Sequence, residues 1–183
     1  MIIGLHITKN EEKFKYLKSL INKKTLKNID ILHIKNNQDL KHNIKRLNVL
    51  VTYQIKPEIF KFRSKALKWI HIGASGVEQN LFEDLLNSKV MITNAKGINS
   101  RQVSEFVISQ IMFFAKNIDK CMQFKKNKIW NQWELAKKTK QLSGSTLGII
   151  GYGMIGKELA KKAKSFDMNV IATKRVQKKR FAF

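Results

Sequence analysis

Short apolar runs alternate along the chain with longer stretches that are apolar on one side only. Ile2 to Ile7 reads as a strand, and Asn10 to Leu26 as a helix with Phe14, Leu17, Leu20 and Ile21 at helical spacing. Ile29 to Ile34 is a second strand, followed by a weak helix over Leu40 to Ile44, and Leu47 to Thr52 is a third strand. Pro57, the only proline, opens a short turn or helix, because its fixed φ and missing N–H suit a first helical position. Strands over Leu67 to Ile72 and Val90 to Thr93 flank a helix over Val77 to Leu86, with Leu81, Leu85 and Leu86 on one face. Ser100 to about Lys126 reads as one long helix with Val103, Phe106, Val107, Gln110, Ile111, Phe114 and Ile118 as its buried stripe. A polar connector over residues 127–142, whose Trp130 and Trp133 are expected to pack locally, leads to a buried strand over Thr146 to Gly151. A helix from Met154 to Phe166 and a strand from Met168 to Thr173 follow, and the basic residues from Lys174 to Phe183 form no element. Strands separated by helices predict an α/β protein with a parallel sheet and crossover helices. The pattern divides near residue 100: residues 1–99 make one flavodoxin-like α/β unit, and residues 100–183 supply a long helix and the start of a second.

Composition narrows the function classes. The chain has 183 residues, 43% of them hydrophobic, which is enough for a core. Its formal net charge of +23 invites a polyanionic partner. The cations are nearly all lysine, however, with arginine only at Arg46, Arg63, Arg101, Arg175 and Arg180. Nucleic-acid readers lean on the planar guanidinium, and no basic patch is interleaved with stacking aromatics. Lys, Asn and Ile are abundant together, the mark of a genome-wide codon bias, so neither a nucleic-acid nor a membrane partner is expected. Cys121 is the only cysteine; it forms no internal disulfide and no cysteine metal site, as suits a reducing cytoplasm. The apolar run Phe106 to Ala115 falls far short of the roughly 20 residues that span a bilayer. A soluble, cytoplasmic protein without a metal centre is the expectation.

The chemistry lies in Gly151-Tyr152-Gly153-Met154-Ile155-Gly156, a G-x-G-x-x-G between an apolar strand and an amphipathic helix, with another strand after it. Gly151 permits the tight turn, Gly153 lets a pyrophosphate approach the backbone, and Gly156 lets the helix pack on the strand. The helix start then offers N–H groups to phosphates. This is the opening of a Rossmann-type doubly wound parallel sheet. An acidic residue at the end of the next strand would hold the adenosine ribose and favour NAD. Here the chain reads Thr173-Lys174-Arg175, a set suited to a 2′-phosphate; the cofactor is NADP or NAD.

Three blocks resemble the D-isomer-specific 2-hydroxyacid dehydrogenases, the group of glyoxylate/hydroxypyruvate reductases and phosphoglycerate dehydrogenases. They are residues 67–78, with Gly73-Ala74-Ser75-Gly76-Val77-Glu78 as a substrate loop, residues 92–106 from Ile92-Thr93-Asn94 to Glu105-Phe106, and residues 133–170 around the glycine turn. The resemblance implies that Ser75, Gly76 and Val77 present backbone N–H groups to a substrate carboxylate. It implies that Val103 borders the nicotinamide or substrate, where core packing on the helix is the plainer alternative. Glu105 is expected to brace its helix start. The family's catalytic Arg, Glu and His all lie downstream of the glycine turn. His6, His33, His42 and His71 precede it, and Arg175 and Arg180 come too early, so no residue here is assigned a catalytic role. Asp167 stands where the family has a glycine with φ > 0, and Val176 to Phe183 resembles no part of it. The resemblance therefore implies an oxidoreductase acting on a small 2-keto or 2-hydroxy acid, homodimeric in its full-length form. This chain is expected to be an N-terminal fragment without turnover, with sheet edges and helix faces uncovered. The alternative is a non-catalytic α/β module that binds a nucleotide or a partner, or a truncated gene product.

Overall fold

The computed structural model describes residues 1–22 and 28–175 and divides into two compact units, the second beginning at Gly97. The expected helical residues 23–26 and the tail from Val176 onward lie outside the described residues.

The first unit runs β1 (Ile2–His6), α1 (Glu11–Asn22), β2 (Asp30–His33), α2 (Asn37–Asn43), β3 (Val49–Thr52), α3 (Pro57–Phe60), β4 (Trp69–Ile72), α4 (Glu83–Leu86) and β5 (Met91–Asn94). Its five strands are all parallel in the order β2-β1-β3-β4-β5. Parallel strands covered on both faces read as unbroken apolar runs, as Val49-Leu50-Val51 does. Leu50, Ile70 and Ile72 are fully buried with Ile34, Leu40, Ile44 and Leu47. Gly4 is required by packing: a Cβ there would lie 2.7 Å from both Ile34 Cδ1 and Leu47 Cδ1. Chain order reverses direction between β1 and β3, which makes their carboxyl ends the topological switch point of the sheet.

The expected single helix over Val77 to Leu86 is broken. A 3₁₀ turn spans Glu78–Asn80, and α4 begins only at Glu83. The reason is Asn80, almost wholly buried, whose Oδ1 accepts from the Ile55 N–H at 2.9 Å. That buried bond pins the chain, so Leu85 alone of the three leucines is buried while Leu81 and Leu86 are exposed. Phe82 packs edge-on to Phe60 in their place.

The second unit contains α5 (Ser100–Ala115), α6 (Ile118–Lys126), α7 (Gln132–Lys138), β6 (Thr146–Ile150), α8 (Met154–Lys164) and β7 (Asn169–Thr173). Strands β6 and β7 pair in parallel. The expected long helix is interrupted at Asn117, which adopts a left-handed φ of 49° between α5 and α6. Asparagine tolerates that conformation better than other side chains with a Cβ, and the Lys140 N–H closes the end of α5 on the Ala115 carbonyl at 2.7 Å. The buried face of α5 also departs from the expected stripe. Ser104 and Ile108 are buried, whereas Phe106 and Phe114 are 64% and 72% exposed. Small Ser104 and branched Ile108 allow close approach to α8 and β6, where Ile149, Leu159 and Ala160 complete a second core. Trp130 and Trp133 are exposed rather than packed. Strand β6 buries only Ile149, and Ile150 is almost wholly exposed, because β6 has a single neighbouring strand among the described residues.

Candidate functional site

Strand β6 ends at Ile150, and the chain turns at Gly151 with a φ of +97°, a conformation that a Cβ penalises. The turn is tied to the end of β7: the N–H groups of Gly151 and Tyr152 donate to the Thr173 carbonyl at 3.2 and 2.9 Å. Tyr152 packs on the second core. Gly153 is the N-cap of α8 and carries no capping side chain. The first capping-turn bond runs from the Lys157 N–H to the Gly153 carbonyl at 2.9 Å. Met154, Ile155 and Gly156 thus open the helix with N–H groups that no side chain caps.

The three glycines have three different reasons. Gly151 needs its left-handed backbone. A Cβ built on Gly156 would overlap the Gly151 carbonyl oxygen, so Gly156 sets how closely α8 returns to the turn. At Gly153 a Cβ would meet nothing within 4 Å and the φ is an ordinary −86°. The fold does not require glycine there; the space in front of its backbone is open. An open backbone, uncapped N–H groups and the positive end of an eleven-residue helix suit a diphosphate.

Thr173 closes β7, and its hydroxyl lies 3.4 Å from the Gly151 N–H. Lys174 and Arg175 follow, exposed, and no carboxylate occupies these positions. Val103 sits on the first turn of α5, 37% exposed. Sequence reasoning gave Gly97 no role. It has a φ of +87°, which is what calls for glycine, since a Cβ there would overlap only the flexible end of the Met154 side chain. A glycine at the end of a strand and before a helix was the available signal.

Ser75, Gly76 and Val77 belong to the first unit, after β4. The loop is braced by β5: Asn94 Nδ2 donates to the Ser75 carbonyl at 2.7 Å, and the Ala95 N–H to the Ala74 carbonyl at 3.2 Å. Among the described residues the N–H groups of Ser75, Gly76 and Val77 have no acceptor. The backbone of Gly76 is not left-handed, and a Cβ there would meet only the flexible tip of Glu78, at 2.9 Å.

His71 and His33 have structural explanations. His71 Nδ1 pairs with Thr93 Oγ1 at 2.9 Å, and His33 stacks on Phe14 while bonding the Thr8 carbonyl and Glu11. Glu11 is held below the usual carboxylate range by its hydrogen bonds from Lys35 and His33. Lys120 and Glu134 form an ion pair between α6 and α7 that lowers the glutamate and raises the lysine. Among the described residues no cluster of three His, Cys, Asp or Glu side chains is placed to hold a metal ion. No described helix is long and apolar enough to cross a membrane.

A strand, a positive-φ glycine turn and a helix start with open N–H groups define a nucleotide-binding α/β protein. Residues 108–182 match the NAD binding domain of the D-isomer specific 2-hydroxyacid dehydrogenases. The D-3-phosphoglycerate dehydrogenase of Methanocaldococcus jannaschii is 29% identical over 137 residues, covering 73% of this chain and 26% of that protein. The hydroxypyruvate reductase of Thermotoga maritima is 32% identical over 108 residues, covering 59% and 35%. A D-lactate dehydrogenase from Treponema pallidum shares the fold, with a TM-score of 0.75 at 18% identity over 98% of this chain and 55% of that one. Through residues 108–182 the chain is similar to the D-isomer specific 2-hydroxyacid dehydrogenases. It spans well under half the length of the curated relatives it matches.

Proposed function

We propose that this protein is the binding portion of an NAD(P)-dependent oxidoreductase for a small 2-keto acid of the glyoxylate or hydroxypyruvate kind. The turn from Gly151 through Gly156 holds the cofactor diphosphate. Thr173, Lys174 and Arg175 hold the adenosine end, and Val103 borders the nicotinamide. Ser75, Gly76 and Val77 hold the substrate carboxylate. The observation that carries this reading is Gly153, open in front of its backbone where the fold itself would accept a side chain. The three unpartnered N–H groups at residues 75–77 support the carboxylate assignment. When bound, the nicotinamide supplies or accepts the hydride. None of these 183 residues is assigned to hold the carbonyl or move its proton, and we expect the chain to bind without turnover. The exposed Phe106 and Phe114 of α5 suit a contact between two copies, such as the family resemblance implies.

Calorimetric titration with NADPH and NADH tests the reading. Saturable binding is expected, tighter for NADPH because two cations replace the acid at the end of β7. Gly153→Ala is expected to abolish it while the melting temperature holds. Equal binding by wild type and variant would remove the turn from the site, and NADH bound as tightly as NADPH would remove the preference. Glyoxylate-dependent NADPH oxidation by the chain alone would overturn the placement of the proton-moving residues elsewhere.

A further inference from the structure

The switch point of the five-stranded sheet holds a feature that the proposed function does not use. The carboxyl ends of β1, β2 and β3 diverge there around a crevice of about 360 Å³ whose lining includes His6, Thr8, Lys9, Asn37, Gln54 and Lys56. No carboxylate lines it. Lys35, also in the wall, is paired with Glu11 at 3.3 Å, but Lys9 and Lys56 have no acidic partner among the described residues. Two uncompensated ammonium groups match a dianion.

His6 adds a more specific demand. Thr52, wholly buried, donates its single hydroxyl proton to the Gln54 carbonyl at 2.8 Å and accepts from the Gln54 N–H at 3.2 Å. His6 Nδ1 lies 3.0 Å from that same oxygen, and with the hydroxyl proton on the Gln54 carbonyl the ring is assigned as the donor. A neutral imidazole with its proton fixed on Nδ1 has a bare lone pair on Nε2. That atom has no partner among the described residues. Burial keeps the ring neutral, holding it below its ordinary value of 6.5 against the opposing charge of Asp39. The crevice therefore offers cations, amide and hydroxyl groups, and an imidazole nitrogen whose lone pair has no partner among the described residues.

We propose that this crevice binds hydrogen phosphate, the dianion that still carries a hydroxyl, with Lys9 and Lys56 on its charge and His6 Nε2 accepting from its P–OH. Sulfate has the same charge near neutral pH and no proton to give, so it controls for the general attraction of a basic chain to anions.

The test is titration of the full chain at pH 7.5 and constant ionic strength with inorganic phosphate, sulfate and glycerol 2-phosphate, read by calorimetry and by the His6 ring resonances. Phosphate is expected to bind about tenfold tighter than sulfate, the worth of one charge-assisted hydrogen bond. Glycerol 2-phosphate, a dianion without a P–OH at that pH, is expected to follow sulfate. His6→Asn keeps a donor toward Thr52 and removes the Nε2 acceptor; the two anions should then bind alike. Lys9→Met with Lys56→Met should weaken both and gives a readout should His6→Asn fail to fold. Equal affinity for phosphate and sulfate in the wild type would overturn the proposal. So would discrimination that survives His6→Asn, tight binding of the monoester, or the absence of saturable phosphate binding.

Discussion

Gly151, Gly153 and Gly156 form one motif in the sequence, but the structure gives them separable functions. Gly156→Ala pushes a methyl group into the Gly151 carbonyl and is expected to cost about 1–3 kcal/mol of stability, as overpacking does. Gly153→Ala meets open space and is expected to change stability by less than about 1 kcal/mol while removing dinucleotide affinity. Thermal melts paired with NADPH titrations separate the two, and equal melting temperatures for both variants would contradict the assignment. Asp167 has a φ of 56°, where the family resemblance places glycine. Asp167→Gly is expected to raise stability by about 1 kcal/mol, measured by urea denaturation. His6 has a depressed folded pKa, so the unfolded chain binds the proton more readily. Its contribution is intact above 6.5 and is lost as pH falls from 6.5 through the lower folded value. The melting temperature should drop over that window in wild type and drop less in His6→Asn.

At the scale of elements, local pattern specified strands and most helices better than the faces they turn inward, and it missed α7, which forms within the stretch read as a polar connector. Among the described residues seven strands are present where seven apolar runs predict them. The stripe on α5 is right at Val107 and Ile111, which pack on the second core, and wrong at Val103, Phe106 and Phe114, the conspicuous apolar residues, which are exposed. The helix instead turns Ser104 and Ile108 toward α8, since small and branched side chains admit a closer approach there. Ile108→Ala is accordingly expected to cost about 2–4 kcal/mol and Phe106→Ala under about 0.5 kcal/mol in chemical denaturation of the monomer. Comparable losses would restore the original stripe. The break at Asn117 was equally hidden: asparagine is a permissible helix residue, and only the bond from the Lys140 N–H to Ala115 shows why α5 stops.

For the whole molecule, a net charge of +23 on 183 residues gives strong self-repulsion. Raising ionic strength from about 0.01 to 0.15 M shortens the screening length from roughly 30 to 8 Å and is expected to raise the melting temperature. A salt-independent temperature would mean the lysines are too dispersed to repel. The same charge makes weak anion binding unremarkable, which is why discrimination between anions of equal charge, rather than affinity, decides the phosphate site.

The sequence by itself determined the α/β class, a division near residue 100 and the strand–turn–helix setting of the glycine motif. Each follows from local physics: side-chain period, glycine's missing Cβ, and the N–H groups at a helix start. Tertiary structure alone decided that Ser104 and Ile108 rather than Phe106 and Phe114 turn inward on α5, that Asn80 reaches Ile55 and breaks the helix before α4, and that His6 and Thr52 meet across neighbouring strands. Those outcomes depend on residues separated by tens of positions, as His6 and Thr52 are by 46, and no local period encodes which of them will pack together.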